Sequence, residues 1–173
     1  MRQASWIAGA AGFAVLALLL AAQEPSYVGV DKCRICHQTD GQGRQYPIWE
    51  ASAHSRSFAA LTTPHAAEVG KPLGVTNPSE NSNCLGCHAP LAAKAPDLKA
   101  EGITCEVCHG PGSLYRKLSV MKDKAESVKN GLLICPDKAS IQTLCLKCHQ
   151  NAHGKAFDFE AAWAKIKHAI PGK

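Results

Sequence analysis

Four times in 173 residues, two cysteines separated by two residues are followed at once by histidine. The stretches are Cys33-Arg34-Ile35-Cys36-His37, Cys84-Leu85-Gly86-Cys87-His88, Cys105-Glu106-Val107-Cys108-His109 and Cys145-Leu146-Lys147-Cys148-His149. Disulfides do not account for them. Two residues make a short loop for a structural cross-link, and short loops gain least from being closed. The total of nine cysteines leaves at least one unpaired under any disulfide scheme.

The spacing has a chemical reason. Two thiols two residues apart can add across the two vinyl groups on one edge of a porphyrin. The adjacent histidine is then held under the iron as its proximal ligand. Cys33, Cys36, Cys84, Cys87, Cys105, Cys108, Cys145 and Cys148 are therefore the expected attachment points of four covalent haem c groups. His37, His88, His109 and His149 are the expected proximal iron ligands. Zinc is the main rival, since Cys-x-x-Cys knuckles also build structural zinc sites. One such motif would be ambiguous, but four with histidine in the same place favour haem. A thioredoxin-like redox pair fits less well, because no strand-helix frame surrounds any motif.

The start of the chain points to export. Arg2 supplies a positive charge, and Trp6 to Ala22 is an uncharged run of apolar and small residues. As a helix that run would rise about 25 Å, short of a hydrocarbon core of ~30 Å. Residues 1–22 are therefore read as a signal peptide or an N-terminal membrane anchor, and residues 23–173 as one tetrahaem domain. The expected location is periplasmic or otherwise extracytoplasmic.

With Trp6 and Phe13 set aside, two Trp, three Tyr and three Phe remain. That is little large aromatic volume for a domain of about 150 residues. The expected fold is mostly α: a small, irregular multihaem fold with few strands and a core formed largely by four haems. The formal charge of +5 does not point to an acidic partner. If each ferric haem brings a net charge of about −1, the loaded protein is close to neutral. No basic block with interleaved aromatics suggests nucleic acid.

Sixth ligands are sought among His54, His65, His153, His168 and Met121. A helix from Pro47 would put His54 on one face with Phe58 and Leu61. A histidine there is a candidate iron ligand; the plainer reading is a hydrogen-bonded core histidine. His168 ends a second amphipathic stretch, capped by Asp158, striped by Phe159, Ala162, Trp163 and Ile166, and stopped by Pro171. It is a candidate ligand too, against a role beside the helix C-terminus. Met121 lies in a third expected helix, from Ser113 to Asn130, with Leu114, Leu118, Ala125 and Val128 on its face. Met on such a stripe is either core or ligand. His65 and His153 read as solvent histidines in polar loops. Cys135 reads as a buried thiol without a partner.

The chain resembles the cytochrome c-554 family of tetrahaem cytochromes. The resemblance rests on YVGVDKCRICH, IWEASAHSRSFAAL, GITCEVCHGPGSLY and FDFEAAWAKIKH. It implies a helical fold with closely stacked haem pairs. It also implies that His54 and His168 are distal ligands. The family has a third distal histidine after the GPG segment; this chain has none there, and Met121 lies close to that place. The family's second haem is five-coordinate, which here would be the haem on Cys84, Cys87 and His88.

The first functional expectation is an electron carrier, not an enzyme, passing electrons between periplasmic or membrane redox protein partners through packed haems. No Ser/His/Asp set or acid/base pair is recognisable. One alternative is reduction or binding of a small nitrogen ligand (NO, hydroxylamine) at an open haem. Another is a homo-oligomeric filament with haems stacked across protomers.

Overall fold

The structure is a computed structural model and describes residues 23–169. The leader or anchor read from residues 1–22 and the stop at Pro171 lie outside the described residues. Among the described residues the regular structure is entirely helical: ten short α-helices and several 3-10 turns, with no strand. The few strands expected are absent from this part of the chain. No described helix is long and apolar enough to cross a membrane.

The helices are α1 (Val30–His37), α2 (Gln45–Ala51), α3 (Ser57–Ala60), α4 (Pro64–Gly70) and α5 (Ser82–His88). They continue with α6 (Cys105–His109), α7 (Leu118–Met121), α8 (Lys124–Lys129), α9 (Lys138–Cys145) and α10 (Phe159–Ile166). Their starts follow from side chains that cap free N–H groups. Asn81 accepts from Asn83 and Cys84 at 3.0 and 3.3 Å, opening α5. Thr104 accepts from Glu106 at 3.2 Å, opening α6. Asp137 opens α9 by accepting from Ser140 at 2.8 Å. Asp158 caps α10 as expected, accepting from Ala161 at 3.0 Å.

Two expected helices are shorter than their patterns suggested. The helix through His54 is broken at Ser52, which is extended (φ −78°, ψ 167°). The Ser52 hydroxyl donates to the Trp49 carbonyl at 2.7 Å and accepts from His54 N–H at 3.2 Å. Serine offers the backbone a local alternative to the helical ladder there. His54 thus opens a 3-10 turn (His54–Arg56) ahead of α3. The expected 113–130 helix is split into α7 and α8, because Asp123 accepts from Glu126 N–H at 3.0 Å and starts a new helix. Its apolar stripe is not core: Leu118 is 65% and Val128 45% exposed. His65 stands on α4 rather than in a loop, behind Thr63 as cap and Pro64 at the first position. Cys135 is half-buried, not buried.

The side-chain core is small. Among the described residues the buried apolar side chains are Val30, Leu61, Ala89, Leu91, Ile103, Tyr115 and Phe159. Several large apolar residues stay at the surface, including Ile35 within the first motif at 68% exposure. A chain of this length normally buries more, and this one gathers its motif helices around little protein of its own.

Candidate functional site

Three motifs share one local design. In α1, α5 and α6 the motif histidine is the last helical residue, so each ring leaves its helix at the C-terminal end. The fourth motif departs from this. Helix α9 ends at Cys145, and Cys148 and His149 follow in a turn closed by His149 N–H to the Cys145 carbonyl at 3.0 Å.

Two polar residues, one half-buried and one buried, hold the motifs together, and sequence reading assigned neither a role. Ser57 is one. Its hydroxyl lies 2.8 Å from both the His54 and the His88 carbonyls and accepts from Ile103 N–H at 3.0 Å. Its backbone carbonyl accepts from Nδ1 of His88 at 2.8 Å. Since a carbonyl only accepts, Nδ1 carries the proton and Nε2 keeps a free lone pair. That is the tautomer a metal ligand needs.

Glu106 is the other, sitting between the cysteines of the third motif. It is 2% exposed. It accepts from Val28, Gly29 and Gly112 N–H groups at 2.7 to 3.0 Å. A carboxylate flanked by Ile103, Val107 and two cysteines was the available signal for a buried acid.

The motifs approach one another in two pairs. The Cys33 and Cys105 thiols are close neighbours, and their interaction lowers Cys33 and raises Cys105 from their ordinary values. Cys148 is pushed up to about 11 by burial and by the neighbouring Cys87 thiol. The first motif therefore sits beside the third, and the second beside the fourth. Cys108 also rises to about 11, through burial and then Cys145, Cys135 and Cys148, so the ninth cysteine stands near this cluster.

The histidine rings pair one to one. His54 faces His149 with ring centres 6.2 Å apart. His109 faces His168 at 5.8 Å. His88 faces His153 at 6.3 Å. Two bonds of about 2 Å from a metal ion to imidazole nitrogens, plus roughly 1 Å from each nitrogen to its ring centre, set opposed ring centres about 6 Å apart. All three spacings fit one ion held between two rings. Burial lowers the His54, His168 and His149 rings below their ordinary value. His109 falls to about 4, through burial and then the nearby His168 and His37. Neutral imidazole is the ligating form.

His37 is different. Its Nδ1 is buried without a hydrogen-bond partner, and among the described residues no ring pairs with it at this spacing. Met121 is half-buried at the end of α7. His65 is exposed. Among the described residues no group of three or more His, Cys, Asp or Glu side chains converges to hold a metal ion. A four-ligand zinc site needs such a group; a porphyrin iron needs only two axial ligands.

Residues 32–110 match the family described as Cytochrome c554 and c-prime. The chain is also similar to cytochrome c-554 of Nitrosomonas europaea, at 25% identity, over 78% of this chain and 62% of that relative. It thus spans less than two thirds of that protein. No solved structure matches.

Proposed function

From the match of residues 32–110 to the family described as Cytochrome c554 and c-prime, we propose that the chain belongs to that family and is a multihaem electron carrier with four covalent haem c groups. Haem supplies reversible one-electron chemistry when bound. The protein's own part is attachment, ligation and burial. Each motif offers two thiols for thioether bonds and a histidine for the iron. His54 and His168 are the distal ligands opposite His149 and His109. Met121 is the candidate non-histidine ligand.

The observation that carries this reading is the repeated pairing of motif and non-motif histidine rings at about 6 Å, the separation two metal–imidazole bonds impose. The proximity of Cys33 to Cys105, and of Cys87 to Cys148, supports haems grouped in two close pairs. The small side-chain core supports porphyrins as the missing apolar volume. Electrons then pass among neighbouring haems and leave through an exposed edge to a redox protein. Covalent haem c implies export, and the N-terminal run supports a periplasmic or membrane-anchored protein.

The test is a haem count. The mature protein should gain the mass of four haems, survive denaturing gels as a haem-staining band, and give a pyridine haemochrome of four c-type groups per chain. Fewer haems, or a colourless zinc protein, would overturn the proposal. Met121→Ala should change the spectrum of one haem if Met121 is a ligand. An unchanged spectrum rejects that assignment.

A further inference from the structure

His153 reads from sequence as a solvent histidine, yet its backbone is unusual. It lies in the left-handed region at φ 60°, between Asn151 at φ 54° and Gly154 at φ 69°. Non-glycine residues enter that region at a cost, and such strain persists where something else fixes the geometry. The loop follows directly on the fourth motif, and the fourth motif lies beside the second through Cys148 and Cys87. This placement carries the His153 ring to within 6.3 Å of the His88 ring, centre to centre. His88 is held ready on the other side, with Nδ1–H given to the Ser57 carbonyl and Nε2 free.

We propose that His153 is the distal ligand of the haem on Cys84, Cys87 and His88. That haem is then six-coordinate, and the haem whose far side lacks a histidine is the first, on Cys33, Cys36 and His37. The inference rests on the haem reading above and changes its consequence: the iron open to Met121, or without it to a small exogenous ligand, is at the first motif, not the second.

His153→Gly is the direct test, because glycine takes φ 60° without strain and only the imidazole is lost. The variant should show one more high-spin, cyanide-binding ferric haem than its parent. Added imidazole should return that haem to low spin. An unchanged count at full haem content overturns the proposal. Chemical protection provides a second arm that needs no variant. His153 and His65 are both exposed, so diethyl pyrocarbonate should modify His65 and spare a metal-bound His153 in the oxidised holoprotein. Modification of both at equal rates also overturns it. Absence of covalent haem, read by haem staining, would instead sink the reading on which the inference rests.

Discussion

Both carboxylate oxygens of Glu106 receive the N–H of Val28, at 3.0 Å each, across 78 residues of sequence. The same side chain takes Gly29 at 2.9 Å and Gly112 at 2.7 Å. One acid inside the third motif thus ties down the entry to the first motif and the turn after its own helix. A buried carboxylate that loses its place leaves several N–H groups unpaired, each costing about 1–3 kcal/mol. Glu106→Ala should destabilise the holoprotein by roughly 3–5 kcal/mol in denaturant unfolding. Glu106→Gln keeps one acceptor oxygen and should cost about 2 kcal/mol. Glu68→Gln, at an exposed ion pair with Lys71, should change stability by less than about 0.5 kcal/mol.

Gly102 bears on the other hub. It has φ 69° and ψ −125°, a conformation that favours glycine. A Cβ there would collide with the Ser57 hydroxyl and lie 2.8 Å from the His54 carbonyl. Gly102→Ala should therefore cost at least ~2 kcal/mol and perturb the haem on His88, whose ring Ser57 orients. Ser57→Ala removes only the hydroxyl and should cost about 1–3 kcal/mol. Thermal unfolding, followed with the visible spectrum of the same samples, checks both.

The four motifs were legible because they are local: two cysteines and a histidine within five residues stand out wherever they fold. The cap of α10 at Asp158 was legible for the same reason. What escaped was non-local or competitive. Ser52 and Asp123 broke two apolar patterns by capturing backbone groups, which periodicity does not register. His153 looked like a loop residue because its partner, His88, is 65 positions away and faces it only through the turn after His149. Glu106 looked like a variable position between two cysteines. Its importance comes from Val28 and Gly112, which its own neighbourhood in sequence does not name.

Glu101 should leave a trace in the pH dependence of stability. Burial, the largest cause, raises its carboxyl above the ordinary value, against the bond from Val30 N–H; Glu106 and Asp31 add to the rise. The folded state then holds this proton to higher pH than the unfolded chain. Its stabilising share is complete below the ordinary carboxyl value and is lost as pH rises through the raised one. Glu101→Gln can still accept from Val30 and has nothing to titrate. It should flatten the stability profile just above pH 4.5 and gain relative to the parent as pH increases. Urea midpoints across that range check it; a parallel offset at all pH values would reject it.

The ring pairs of His54 with His149 and His109 with His168 make separate claims about separate haems. If each distal ring closes one iron, each loss should open one iron and leave the rest alone. His54→Ala and His168→Ala should each add one high-spin ferric haem per chain, seen by EPR and by cyanide titration. The double variant should add two, since the rings serve different motif histidines. His65→Ala, on the exposed face of α4, should add none. Removing a strong axial imidazole also shifts the potential of the affected haem, so one wave of the redox titration should move in each single variant. If both substitutions altered the same haem, the two pairs would not be two centres, and the arrangement of distal ligands proposed for this chain would be wrong.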